Sequence, residues 1–229
     1  MRFLLKPDSL ARIKKYIDQE RDNYVTRVLF IYGYGGDTDS TFCRLLRESL
    51  PAKHYDVRCY TYPQEDCAAS VAALEGIIRR EKIELVVGTS LGGFLALCLN
   101  YRLGVKRLVI NPCMRPSDEL PKLQPRPNHP DDKAPAPAMI ATYAAYEEAV
   151  NNPGKHEREN VYGAFAENDE LLGTRYVDTF RCAYIPRVPH SAPAPVVTMI
   201  PWYKSWFGLR PTRILLGDGV TAFKKLKFI

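Results

Sequence analysis

The sequence lacks the patterns that mark membrane-spanning, nucleotide-binding and disulfide-rich proteins. No apolar stretch reaches the roughly 20 residues of a membrane-spanning helix. Neither the dinucleotide-binding pattern G-x-G-x-x-G nor the lysine-ended P-loop occurs, which argues against a phosphate cradle. The six cysteines are scattered and form no C-x-x-C pair, which predicts reduced thiols in a reducing compartment.

The sequence has no large excess of positive or negative residues that would indicate a particular kind of partner. The 32 Lys and Arg residues against 26 Asp and Glu residues leave a net charge of +6 without a sustained basic run, so nucleic acid is not indicated as a partner. Residues 1–8 are interrupted by charge and proline too early for a signal peptide, and we expect a cytoplasmic protein. With 229 residues, 46% of them hydrophobic, the chain predicts one domain over residues 1–229.

A serine flanked by glycines is the strongest functional signal. The segment GTSLGG at residues 88–93 follows the apolar run 83–87 and precedes the apolar run 94–99. A buried strand, a G-x-S-x-G pattern and a helix in that order are typical of a nucleophile elbow, which presents a serine hydroxyl above a parallel sheet. Serine alone is a weak nucleophile, so Ser90 requires a base and an acid elsewhere in the chain.

The candidate base is His190. Folds that use this elbow carry serine, acid and histidine in that order along the chain. Of the four histidines, one precedes the serine, one lies in a proline-rich stretch and one precedes the candidate acid; these are His54, His129 and His156. Only His190 stands last, after the strand-like segment 182–185.

The candidate acid is Asp169, which follows the strand-like segment 160–166 and precedes a helical pattern. A carboxylate in that position can also be a helix N-cap without a catalytic role. Three other carboxylates in the same neighbourhood are rivals: Glu167, Glu170 and Asp178. We favour Asp169 for its loop position.

An oxyanion hole needs two backbone N–H groups aimed at the oxygen that becomes negative. The residue after the nucleophile, Leu91, supplies the first. The second is expected from the glycine-rich loop YGYGGD at residues 32–37, with Tyr34 as the donor and Gly33 beside the substrate. Glycine clusters of this kind also form ordinary turns.

Together these motifs resemble the small bacterial esterases of the YqiA/YcfP type, within the α/β-hydrolase superfamily. The resemblance covers residues 28–190 and is carried by GTSLGG at 88–93, LVINPCMRP at 108–116, NDELL at 168–172, YGY at 32–34 and His190 near a strand end. Where the family has a histidine, this chain has Tyr32.

The resemblance implies hydrolysis of a small-molecule ester with a short acyl chain, without a metal or an organic cofactor. In this interpretation His190 accepts the proton of Ser90, Asp169 orients the imidazole, and the amides of Leu91 and Tyr34 bind the oxyanion. Thioesters are a possible substrate class as well. The alternative is an α/β-hydrolase scaffold that has lost efficient chemistry and binds a partner.

Apolar runs alternate with helical patterns along the chain, which indicates an α/β fold with a mostly parallel sheet flanked by helices. The resemblance places this fold among the α/β-hydrolases, as a three-layer sandwich. Strands are predicted near 26–32, 56–61, 83–88, 106–111, 160–166 and 182–187. Helices are predicted near 40–49, 67–80, 91–102, 139–150 and 170–180.

Three segments extend this pattern. An amphipathic N-terminal helix over about 8–21 is expected to dock on the domain, with a membrane surface as the alternative. The proline-rich segment 112–137 is expected to lack regular structure and either to wall the substrate pocket or to form a plain surface loop. At its start, Asn111 and Arg115 are candidate substrate-binding residues, although Arg115 could simply pair with an acid. The C-terminal extension 208–229 fits an edge strand or a partner contact, and the sequence specifies no oligomeric state.

Overall fold

In a computed structural model of the protein, the described residues are 24–123, 133–154, 160–169, 171 and 181–189. The predicted N-terminal helix, the predicted helix over 170–180 and the C-terminal extension lie outside these ranges, apart from single residues at their edges. No helix in the described ranges is long and apolar enough to cross a bilayer.

Six parallel strands form one sheet in the order β2-β1-β3-β4-β5-β6. The strands are β1 Thr26–Ile31, β2 Tyr55–Cys59, β3 Leu85–Thr89, β4 Lys106–Ile110, β5 Val161–Asn168 and β6 Arg181–Pro189. The central strands are apolar along nearly their whole length because both of their faces are covered. The predicted parallel sheet is confirmed, with strand ends that differ by at most two residues.

Six helices are described: α1 Thr41–Ser49, α2 Cys67–Glu81, α3 Leu91–Cys98, α4 Pro116–Glu119, α5 Pro137–Ala144 and α6 Glu147–Asn151. Connections between parallel strands are right-handed, so the step from β1 to β2 places α1 on one face. The connections from β2 to β3, from β3 to β4 and from β4 to β5 run across the sheet in the opposite direction, so they place the remaining described helices on the other face. There α2 packs on α3 and α5, and α3 packs on α6. The sheet is thus flanked by helices, as predicted.

Two helix predictions and one loop prediction were wrong in detail. The helix after Ser90 ends at Cys98, not near 102, because Leu99 is extended. The predicted helix over 139–150 is two helices, since the pair of glutamates at 147 and 148 starts a new one. The proline-rich segment was expected to lack regular structure, yet Pro116 begins α4 and a 3-10 turn follows at Leu120–Lys122. Proline suits the first turn of a helix, where its missing N–H has no partner to lose.

A buried arginine in β4 explains where α3 ends. Arg107 is 1% exposed, and its Nη1 donates to the carbonyls of Ala96 at 3.3 Å, Leu97 at 3.5 Å and Leu99 at 3.0 Å. These carbonyls are the groups that a helix C-terminus leaves without an intrahelical partner. A cation at this end also interacts favourably with the helix dipole. Arg107 therefore caps the C-terminus of α3, the helix that begins directly after Ser90.

We expect Arg107→Met to lower the free energy of unfolding by about 2–4 kcal/mol, because buried carbonyls at the end of α3 lose their donor. The measurement is the midpoint of urea unfolding at unchanged slope. The matched control is Arg79→Met in α2, where the arginine is 61% exposed and pairs with Glu75; its effect is expected to stay within about 0.5 kcal/mol. Equal midpoints for the two variants would contradict the capping role.

Candidate active site

Ser90 occupies a sharp turn between β3, which ends at Thr89, and α3, which begins at Leu91. Its backbone has φ 51° and ψ −122°, in a region that residues with a Cβ rarely adopt. The Ser90 N–H donates to the Ile110 carbonyl at 3.0 Å, and the Ser90 carbonyl accepts from the Cys113 N–H at 3.0 Å. β4 and the residues after it thus hold a backbone strained by about 1–3 kcal/mol.

Three glycines around Ser90 are required by close packing. A Cβ added to Gly88 would lie 2.4 Å from the Gly92 carbonyl oxygen, and one added to Gly92 would lie 2.2 Å from the Ile31 carbonyl oxygen. At Gly93 the added atom would lie 3.0 Å from the Cα of Pro112. The first turn of α3 therefore rests directly on the backbone of β1 and β3. This contact fixes the position of Ser90 at the carboxyl ends of the central strands.

The loop after β1 lies against Ser90. A Cβ added to Gly33 would lie 3.1 Å from the Ser90 Cβ and 3.6 Å from its Oγ. The Gly36 N–H donates to the Gly33 carbonyl at 3.1 Å, and Gly35 has φ 66°, which makes residues 33–36 a type II turn. From β1 the chain connects to β2 on one side, and later connections run to the other side, so a switch point lies between β1 and β3. Ligands of open α/β sheets bind at such a switch point. The structure thus brings the predicted residues Gly33 and Ser90 together.

Two residues after β2 hold this loop, and the sequence analysis missed both. The Tyr62 hydroxyl donates to the Tyr32 carbonyl at 2.5 Å. The Gln64 side chain donates from Nε2 to the Gly33 carbonyl at 3.2 Å and accepts at Oε1 from the Gly35 N–H at 3.1 Å. Burial raises the pKa of Tyr62 well above its usual value, so the hydroxyl keeps the proton that it donates. Their place just beyond the carboxyl end of a parallel strand is the signal that could have found them.

The returning end of the proline-rich segment contacts the same loop. The Tyr34 hydroxyl donates to the Lys133 carbonyl at 2.8 Å, and the Tyr34 side chain is half-buried. This contact joins residue 133, four residues before α5, to the candidate oxyanion loop. It is the arrangement expected of a segment that borders the site.

Of the other two candidate substrate-binding residues, Asn111 directly follows β4 and Arg115 directly precedes α4. Asn111 has φ 43° and is 5% exposed; its N–H donates to the Ala164 carbonyl at 2.9 Å, and its Oδ1 accepts from the Ala166 N–H at 2.7 Å. Its side chain therefore ties β4 to β5. The Arg115 Nε lies 3.0 Å from the Asp118 Oδ2 at the surface, which is the ion pair considered as its alternative role.

The candidate acid and base each come directly after one of two neighbouring strands in the sequence. Asp169 follows the last residue of β5, and its Oδ1 accepts from the Leu171 N–H at 3.0 Å, a local turn that the capping alternative also fits. His190 lies outside the described residues. The residue before it, Pro189, pairs with Asn168, the residue before Asp169, across an irregularity in the register between β5 and β6. The rival carboxylates have side chains outside the described part of the structure: Glu167, Glu170 and Asp178.

A cavity of about 360 Å³ lies at the other end of α3. Leu97, Asn100, Tyr101 and Val161 are among the residues that line it, and Ser90 is not. Because it shares no residue with the Ser90 turn, we do not assign the substrate to this cavity.

A comparison with protein-family models matches residues 27–181 to the uncharacterised protein family UPF0227. The chain belongs to this family. The motifs quoted above predicted membership of the YqiA/YcfP family, and that prediction is confirmed. No curated protein matches the sequence.

Solved structures similar to this family member include proteins described as α/β-hydrolases. Est1E from Butyrivibrio proteoclasticus has a TM-score of 0.65 at 12% identity, over 83% of this chain and 91% of that chain. The esterase domain of a Rhodothermus marinus protein gives 0.58 at 16% identity, over 80% and 87% of the two chains. The monoacylglycerol lipase of Paleococcus ferrophilus gives 0.58 at 12% identity, over 80% and 97%. At these identities the likeness establishes the α/β-hydrolase fold.

Tyr32, at the position where the resemblance to the family implies a histidine, is buried. Tyr32 is 4% exposed, and its ring lies 4.7 Å from that of Tyr62, centroid to centroid. Burial is the main cause of a raised pKa at Tyr32. Its side chain therefore packs in the core beneath the loop, and the Tyr32 carbonyl, through Tyr62, is what anchors the loop at this position.

Proposed function

We propose that the protein is a serine hydrolase that cleaves carboxylic esters, with Ser90 as nucleophile, His190 as base and Asp169 as the acid that orients the base. One observation carries the proposal: the strained Ser90 backbone between β3 and α3, beside the Gly33–Gly36 turn, at the edge of the sheet where ligands bind. The pairing of Asn168 in β5 with Pro189 in β6 supports it, because Asp169 and His190 each follow directly on one of these two residues in the sequence.

The first half-reaction forms an acyl-enzyme. The Ser90 Oγ attacks the ester carbonyl carbon while its proton passes to His190, and the carbonyl oxygen becomes an oxyanion. The amides of Leu91, in the first turn of α3, and Tyr34, in the loop after β1, are the proposed donors to that oxygen. Collapse breaks the bond to the alcohol oxygen, which takes the proton from the imidazolium.

The second half-reaction repeats these steps with water. His190 removes a proton from the attacking water, the tetrahedral intermediate forms again, and its collapse returns the proton to the Ser90 Oγ. The carboxylic acid leaves. Asp169 holds the imidazole tautomer and stabilises its cationic form in both halves. Asn111 positions β5, the strand that leads to Asp169, through its bonds to Ala164 and Ala166.

The experiment is hydrolysis of p-nitrophenyl esters of increasing acyl length by the wild type and by Asp169→Ala and His190→Ala. We expect turnover to be highest for short acyl chains, and kcat to fall by about 10⁴-fold or more in each variant. Glu167→Ala serves as the matched control, because it removes a rival carboxylate two residues from Asp169, and we expect it to retain activity.

Full activity of His190→Ala would show that another group is the base. A fall for Glu167→Ala in place of Asp169→Ala would move the acid to residue 167. A folded wild type that hydrolyses none of the esters would favour the binding scaffold.

A further inference from the structure

The side-chain amide of Gln64 binds two successive peptide groups of the loop after β1. Its Nε2 donates to the Gly33 carbonyl, and its Oε1 accepts from the Gly35 N–H. The residue between these two contacts is Tyr34, whose N–H is a proposed oxyanion donor. Gln64 is half-buried, and its Nε2 also lies 3.4 Å from the Tyr62 hydroxyl oxygen.

The planarity of the peptide bond connects these contacts to the donor. The Gly33 carbonyl and the Tyr34 N–H belong to one peptide group, and they point in opposite directions within one plane. A bond that fixes the carbonyl therefore fixes the direction of the N–H. The bond from Gly35 fixes the next peptide plane, so Tyr34 is held on both sides. A donor on the carbonyl also polarises the amide and strengthens its N–H as a donor.

Gln64 is itself held by α5, which contacts the helix that follows Ser90. Its backbone carbonyl accepts from the Tyr143 hydroxyl of α5 at 2.9 Å. Tyr143 is fully buried, and its ring centroid lies 6.1 Å from that of Phe94 in α3, the helix that carries the Leu91 amide. The two proposed oxyanion donors are thus connected through one packed unit. Catalysis by such donors depends on their orientation being set before the reaction begins.

We propose that Gln64 is a positioning residue, whose amide orients the peptide plane of Tyr34 for the oxyanion formed at Ser90. This inference rests on the proposed function. Gln64 acts through the backbone of the loop and not on the substrate or the reacting atoms.

The test compares Gln64→Ala and Gln64→Glu with the wild type on p-nitrophenyl acetate. Gln64→Glu keeps the size of the side chain and an acceptor for the Gly35 N–H, but it removes the donor to the Gly33 carbonyl. This variant remains informative if Gln64→Ala folds poorly. We expect kcat to fall by about tenfold to a hundredfold, less than the loss of a whole oxyanion donor, and KM to change by less than about twofold because the ground-state ester makes little use of the hole.

A second measurement distinguishes orientation of the donor from general loosening. The serine oxygen attacks the carbonyl carbon of a short alkyl trifluoromethyl ketone, its proton passes to the base, and the ketone oxygen becomes a hemiketal oxyanion. The inhibition constant of this ketone should therefore rise by the same factor by which kcat/KM falls. Thr142→Val is the matched control. The Thr142 hydroxyl lies in the same region, but it accepts from the Cys67 N–H at 3.1 Å and donates to the Met139 carbonyl at 2.8 Å, both outside the loop. We expect that control to leave kcat and ketone affinity unchanged.

The outcomes separate the two proposals. Ser90-dependent turnover in the wild type, with full kcat in both Gln64 variants, overturns the role of Gln64 and leaves the proposed function standing. An unchanged inhibition constant for the ketone, or an equal loss in Thr142→Val, overturns it as well. A folded wild type without Ser90-dependent turnover overturns the proposed function and the inference with it.

Discussion

Ser90→Ala is expected to lower kcat/KM for p-nitrophenyl esters by about 10⁴-fold or more, because removal of the nucleophile of a triad removes nearly all of its catalysis. The variant should keep the fold, since the contacts that hold the Ser90 turn are made by its backbone N–H and carbonyl. The measurement is steady-state hydrolysis, with the thermal midpoint recorded for each protein.

Ser40→Ala is the matched control. Ser40 is the N-cap of α1 and its hydroxyl accepts from the Cys43 N–H at 3.3 Å, so its loss costs about 1 kcal/mol of stability without a chemical role. We expect this control to keep its turnover. If both serine variants hydrolyse the esters at the wild-type rate, Ser90 is not the nucleophile.

Gly92→Ala is expected to lower the free energy of unfolding by about 3–5 kcal/mol, or to prevent folding, because its Cβ would overlap backbone atoms. The added atom would lie 2.2 Å from the Ile31 carbonyl oxygen and 2.4 Å from the Tyr32 carbonyl oxygen. These atoms belong to β1 and to the start of the loop, which cannot rotate away as a side chain can. Urea unfolding followed by circular dichroism measures the effect.

The control for this substitution is another helical glycine, Gly76 in α2. A Cβ added there meets nothing within 4 Å. Gly76→Ala should therefore stabilise the protein by about 0.5–1 kcal/mol, because alanine loses less backbone entropy on folding. Similar midpoints for the two alanine variants would show that α3 does not rest on β1 as closely as the structure indicates.

The turn at Ser90 could be predicted because its signals are contiguous. An apolar strand, small residues on both sides of the serine and an apolar helix fall within one short segment. The placement of Gly33 beside Ser90 could be predicted for a different reason: both residues stand just beyond the carboxyl ends of parallel strands, which meet at one end of the sheet. The sheet was predictable for a similar reason: its central strands are uninterrupted apolar runs.

Other features depend on residues far apart in the chain. Gln64 meets Gly33 and Gly35 across about thirty positions, and a lone glutamine after a strand follows no local pattern. The end of α3 is set by Arg107, which from the sequence would be assigned to a charged, exposed position. In the proline-rich segment, proline was counted as a lost donor, whereas Pro116 and Pro137 stand in the first turn of helices.

The central claim is that Ser90 is a reactive nucleophile, and labelling with a fluorophosphonate tests it most directly. The serine oxygen attacks phosphorus, fluoride leaves, and intact-mass spectrometry counts the adduct. We expect one adduct on the folded wild type, located on Ser90 by peptide mapping, and none on Ser90→Ala. A folded wild type that takes up no label, or the same uptake by the alanine variant, would contradict the account.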